Sequence, residues 1–296
     1  MALPSPLRYE PVEALPARTA IRLPRSLQVS PIPVFYKALV LRLLAGTTRI
    51  KCNKTSETIR QYNNYSILGR TKNARITRSI LETITNPVSL ADYDKRIQAT
   101  NAYNFKFYSE IYFEFCSYFF EQHRNNYLAA FVHLYRVLER VAYSFPMFWA
   151  ARAKNYRLSF DALKAYFNDP KIGELGVFKR FVPDFIDNAS LRAPLNINII
   201  SAFPDWQKRH YDLLIDLGGS DVVSSIPNRQ VTIRYKILID LMIVVRNRYF
   251  HALTGHSNSF DSEQMVDANE FCSFLNEDLA NWLAFILFKI FEFEFQ

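Results

Sequence analysis

The chain has 296 residues, 49% of them hydrophobic and 15% aromatic, and a formal net charge of +8. That length suffices to bury a full core in one large domain or two of ordinary size. Three dispersed cysteines, Cys52, Cys116 and Cys272, argue against a disulfide framework or a zinc knuckle, and seven glycines without a phosphate-cradling cluster argue against Rossmann and P-loop chemistry.

The charge is unevenly placed. Residues 1–100 hold sixteen Lys and Arg against six Asp and Glu, whereas residues 101–296 hold twenty against twenty-two. Such a skew suits contact with a polyanion or an acidic partner, and it suits a solvated basic surface equally well. Basic and apolar residues at the N-terminus alternate with prolines, so no secretory signal is expected. The apolar run Trp282 to Phe288 is interrupted by Lys289 and followed by Glu292 and Glu294, short of the roughly 20 apolar residues a membrane span needs. A cytoplasmic protein without a membrane partner, metal or cofactor is expected.

Along residues 1–33, prolines at 4, 6, 11, 16, 24, 31 and 33 forbid a regular helix and suit an extended arm. Short helices are expected at 34–45 and 72–84, separated by the polar stretch Thr55 to Tyr65. From residue 101 the pattern changes to long aromatic-rich helical segments at 104–123, 125–150, 159–168, 204–217, 229–252 and 264–293. Prolines at 170, 183, 194 and 204 mark loops or short helices between 169 and 203. Asn228 is read as the N-cap of the helix over 229–252, with Thr254-Gly255 as its stop signal. The expected fold is therefore all-α: a basic N-terminal region over 1–100 with a proline-rich, partly extended arm, then a helical bundle over 101–296. The aromatics Tyr112, Phe113, Phe115, Tyr118, Phe119, Phe120, Phe285, Phe288, Phe291, Phe293 and Phe295 are read as core or dimer surface.

The chemistry-bearing cluster is Arg246-Asn247-Arg248-Tyr249-Phe250-His251, at the end of the apolar run Ile237 to Val245. On a continuous helix, Asn247 and His251 share a face with Asp240 and Val244, while Arg246 lies about 140° from His251 on a largely apolar side. Burying an unpaired guanidinium is costly, so Arg246 must meet a carboxylate, a carbonyl or an anionic ligand. Glu139 and Asp240 are helical acids able to orient Arg246 or His251. His123, His133 and His210 show no metal-ligand spacing and receive no catalytic role.

Arg246, Asn247 and His251, in this helical context, resemble the HEPN superfamily (higher eukaryotes and prokaryotes nucleotide-binding). Its ribonucleases carry Arg, a polar residue, three to five further residues and then His at a helix end. The segment Leu134 to Arg140 is similar to an early bundle helix of its bacterial defence members. Leu253 stands where the toxin branch paired with nucleotidyltransferase antitoxins has Tyr, a departure from that branch. The resemblance implies a metal-independent endoribonuclease, acting as a toxin or an anti-phage, abortive-infection effector. Arg246, Asn247 and His251 would be catalytic, with Arg248 and His256 contacting the RNA. One copy of the motif per chain implies a homodimer that brings two sets together, and the basic N-terminal region would hold RNA, a regulator, an antitoxin or a phage trigger. The competing reading is a non-catalytic helical interaction or ligand-sensing protein of the same fold.

Overall fold

Helix dominates the computed structural model, which describes residues 8–29, 34–151, 155–167, 174–250 and 266–295. Twelve α-helices and three small antiparallel sheets lie among the described residues, so the all-α expectation is corrected to a predominantly helical fold with β-ribbons. The chain divides into two compact units, one of residues 1–124 with 284–296 and one of residues 125–283. The boundary expected at residue 100 falls inside the first of them.

The first unit opens with β1 (Tyr9–Glu13), α1 (Ala17–Ala20) and α2 (Tyr36–Leu44), followed by β2 (Thr48–Cys52) and β3 (Thr58–Ile59). The strands form a sheet in the order β1-β2-β3, with Tyr9 opposite Cys52 and Ile50 opposite Ile59. Pro11 is tolerated because β1 is an edge strand, whose outer side needs no amide donor. The proline-rich arm thus pairs into a sheet over part of its length. Its helical turn at Ala17–Ala20 corrects the expectation of no regular helix: four residues after Pro16 are free of proline, and Pro16 pre-sets the entry.

All nine residues of α2 are buried, as expected of a helix apolar on every side. Two of them are charged, and both are neutralised. Lys37 Nζ lies 2.6 Å from Glu294 Oε2, and the Arg42 guanidinium is held in a fork by Glu13 at 2.5 and 2.9 Å. A two-stranded ribbon of β4 (Asn63–Asn64) and β5 (Thr71–Lys72) follows, then α3 (Arg78–Thr85), α4 (Leu90–Thr100) and α5 (Phe105–His123). α4 was not foreseen. Its start is set by Ser89, whose hydroxyl accepts the Asp92 amide at 3.1 Å and bonds the Asp92 carboxylate at 2.7 Å. On α5, Tyr112, Phe115, Tyr118, Phe119 and Phe120 are buried as expected, with Phe120 stacked on Tyr9 at 5.0 Å.

The second unit contains α6 (Tyr127–Ala151), α7 (Tyr156–Phe167), α8 (Glu174–Phe185), α9 (Asn188–Arg192), α10 (Pro204–Gly218) and α11 (Leu238–Phe250). α12 (Ala268–Phe295) begins here and ends in the first unit. The strands β6 (Pro194–Asn198), β7 (Val222–Ile226) and β8 (Gln230–Arg234) form a sheet in the order β6-β8-β7.

That sheet overturns the helix expected over 229–252. Residues 230–234 are β8, Tyr235 to Ile237 form a single 3₁₀ turn, and the helix starts only at Leu238. The β-branched run Val231-Thr232-Ile233 is buried on both sides between two partner strands, which favours the extended form. Asn228 is not an N-cap. It sits at φ 59° in the short β7–β8 connection, a conformation asparagine tolerates better than most residues.

Candidate functional site

The predicted cluster lies at the end of α11, in the second unit. Arg246 is half-buried, Asn247 is exposed and Arg248 is half-buried, while His251, Leu253, Thr254, Gly255 and His256 lie outside the described residues. The Arg246 guanidinium stands over the ring of Tyr135 on α6, 5.3 Å from its centroid, and donates from Nη1 to Asn247 Oδ1 at 3.1 Å. The requirement read from the sequence, that this charge meet a carbonyl or an anion, is thus met in part by its own neighbour.

Tyr135 is itself buried. Burial pushes its hydroxyl pKa up, the nearby Arg246 charge pulls it down and the Glu139 charge pushes it up, with a net rise, so the phenol stays protonated at neutral pH. Glu139 is exposed. Asp240 pairs with Lys179 of α8. Its place on the outward side of α11 agrees with the face it shares with Asn247. Arg248 pairs with Asp216 of α10 at 3.5 Å; with 32% and 70% side-chain exposure this is a solvated ion pair of small energetic weight.

Two other histidines have partners of their own. His123, in the first unit, is exposed and faces Glu57 at 3.6 Å. His210 of α10, in the second unit, is fully buried. Its Nε2 meets Glu270 Oε2 at 3.0 Å, the same oxygen that accepts from Ser201 Oγ at 3.1 Å. Because the carboxylate sits between serine and imidazole, the imidazole is not placed to take the serine proton, and the trio ties α10 to the start of α12. Burial pushes the His210 pKa down, against Glu270 and Asp267. Its Nδ1 is buried without a hydrogen-bond partner among the described residues, which further disfavours the charged ring. Among the described residues, no group of three or more His, Cys, Asp or Glu side chains is arranged to hold a metal ion.

No family model, characterised protein or solved structure matches the chain.

Two polar clusters in the structure escaped the sequence. One is the His210–Glu270–Ser201 network, for which only the Asp267-x-x-Glu270 spacing at the start of α12 gave any signal. The other lies in the first unit, where Glu294 accepts from Tyr108 Oη at 2.8 Å and faces Lys37. Near it is a cavity of about 350 Å³ walled mainly by Leu41, Ile84, Val88, Tyr93, Phe288 and Phe291, with Glu292 also lining it. No helix among the described residues is long and apolar enough to cross a membrane.

Proposed function

We propose that the chain is a metal-independent endoribonuclease of the HEPN type, working as a toxin or anti-phage effector through a composite site at a homodimer interface. The observation that carries this reading is the pairing of Arg246 with Tyr135. Each belongs to one of the two segments whose sequences resemble the superfamily, Leu134 to Arg140 and Arg246 to His251, with Tyr135 in the first and Arg246 in the second, and the two side chains meet in three dimensions.

Cleavage of RNA without a metal requires a base for the 2′-hydroxyl, a fixed positive charge for the crowded phosphorane and a proton for the leaving 5′-oxygen. Arg246 supplies the charge, oriented by the Tyr135 ring and by Asn247. His251 supplies proton transfer, because an imidazole titrates near neutrality. A single imidazole performs one proton transfer well, so two subunits provide the pair. Arg248 and His256 would add phosphate contacts, and the basic N-terminal region would capture RNA or a regulator.

The test is cleavage of total RNA in EDTA by the purified chain. Arg246→Ala and His251→Ala are each expected to lower the rate by two to four orders of magnitude, a range of about 3 to 5 kcal/mol in barrier. The two dead variants, mixed, should recover activity that neither shows alone. Cleavage that persists in both variants, or a fully active monomer in sedimentation, refutes the proposal.

The first-unit cavity favours a second reading, a ligand-sensing protein. Its volume is at the low end of small-molecule sites, and its walls are mainly apolar. That reading predicts saturable thermal stabilisation by a small apolar compound, unaffected by Arg246→Ala.

A further inference from the structure

The excess positive charge is denser than the whole-chain count suggests. Residues 49–78 carry eight Lys and Arg and one acid, Glu57. That acid is already engaged by Arg124 at 2.6 Å and His123 at 3.6 Å. The segment contains the β4–β5 ribbon, and along its approach burial alternates: Ile59 and Gln61 are buried, whereas Arg60 is half-buried and Tyr62 exposed.

The inward side is fastened to the end of α2, whose last carbonyls have no partners within the helix. Gln61 Nε2 donates to Leu43 O, the Tyr65 amide to Leu44 O at 2.9 Å and Asn73 Nδ2 to Ala45 O at 2.8 Å. The Asn73 amide closes the ribbon on Tyr62 O at 2.9 Å. Gly46, at φ 70°, lets the ribbon come this close: a Cβ there would sit 2.8 Å from Asn73 Nδ2 and 2.9 Å from Asn63 O.

The outward side presents an aromatic ring with two cations near it. Tyr62 is 46% exposed, with the Arg60 guanidinium 4.3 Å and Lys72 Nζ 5.9 Å from its ring centroid. Anchored backbone, an exposed ring and flanking cations are the components of a single-strand platform, in which bases stack and phosphates meet Lys and Arg. A merely solvated basic surface would not need the ring or its cations held in register.

We infer that the β4–β5 ribbon is a docking surface for single-stranded RNA, with Tyr62, backed by Arg60, stacking a base and Lys72 meeting the backbone. The surface stands apart from the Arg246 chemistry, because binding here requires no cleavage. It is tested in the full chain carrying Arg246→Ala, so that the RNA survives, using a fluorescein-labelled oligouridylate and anisotropy over a salt titration in EDTA.

Saturable binding should weaken roughly ten-fold for Tyr62→Ala, the equivalent of about 1.4 kcal/mol from one lost stack, and Tyr62→Phe should restore it. Lys72→Ala should reduce the slope of log affinity against log salt by about 0.7, one single-strand phosphate contact. Tyr62→Ala binding as well as its parent overturns the inference. So does Tyr62→Phe binding as weakly as Tyr62→Ala, or equal affinity for a blunt RNA duplex or for polyglutamate, which would mark the surface as a generic or protein-directed basic patch. Absence of cleavage by the unsubstituted chain, with ribbon binding intact, would refute the nuclease proposal alone.

Discussion

Replacing Arg42 by Met tests whether the first unit is held by a buried ion pair. Arg42 is fully buried and directs all its N–H groups inward: to both Glu13 oxygens, to Leu27 O at 2.7 Å, to Thr47 O at 2.8 Å and to Thr47 Oγ1 at 3.4 Å. Methionine fills most of the stem but donates nothing. Two buried carbonyls then lose their donors at about 1 to 3 kcal/mol each, and Glu13, whose side chain is only 27% exposed, keeps its charge with just the Ala14 and Leu15 amides to hold it. Breaking one side of a buried pair commonly costs about 3 to 5 kcal/mol, and we expect Arg42→Met to cost about 4.

That is a large fraction of the roughly 5 to 15 kcal/mol that holds a typical domain. The assay is urea unfolding at pH 7, compared with Glu13→Gln and with the double variant, whose cost should fall well short of the sum of the singles. A pH series adds an independent sign. Burial raises the Glu13 pKa, but the Arg42 hydrogen bonds and charge and the Leu15 and Ala14 amides outweigh it, leaving a net depression below 4.5. The pair therefore stabilises fully above about pH 4.5 and loses its contribution as pH falls through the lower folded value, a slope Arg42→Met should abolish. A cost under about 1 kcal/mol with that slope unchanged would show Arg42–Glu13 to behave as a screened surface pair, and the reasoning would fail.

Two further outcomes follow from the same physics. His210 has its pKa depressed below 6.5, so the unfolded chain takes up a proton first as pH falls; stability should decline from about pH 6.5 downward until the folded imidazole also titrates, and His210→Gln should flatten that decline. An unchanged slope would mean His210 is not a buried neutral imidazole. Gly46→Ala should cost about 2 kcal/mol or more, from a left-handed backbone and from a methyl pressed against Asn63 O and Asn73 Nδ2. Hydrogen exchange at Tyr65 and Asn73 should rise with it, and protection equal to the parent would show the ribbon to be held by something other than the end of α2.

The helical segments were legible wherever the periodicity was long and uninterrupted. The expected 104–123, 125–150 and 204–217 correspond to helices at 105–123, 127–151 and 204–218. The segment at 229–252 misled because Val231, Ile233, Ile237 and Leu238 continue one apolar pattern across two kinds of structure. What separates them is the pairing of Val231 with Ile197 and of Ile233 with Leu195, contacts more than thirty residues apart. In the candidate site, the sequence picked out Arg246 and demanded a partner for it, and it named Asn247 without foreseeing that the amide would serve the guanidinium. Tyr135 was out of reach, since nothing local relates position 135 to position 246.

Local chemistry thus determined the helical character, the absence of a phosphate-cradling glycine cluster, the crowding of positive charge before residue 100 and the candidate residues at 246–251. Tertiary structure alone decided which charges are buried, which acid meets each of them, and that the basic segment is an anchored ribbon displaying Tyr62. The reason is one of range. Backbone preference and apolar period act within a few residues, whereas desolvating a guanidinium or capping the carbonyls of α2 depends on groups that only the folded chain brings within 3 Å, such as Glu13 against Arg42 and Asn73 against Ala45.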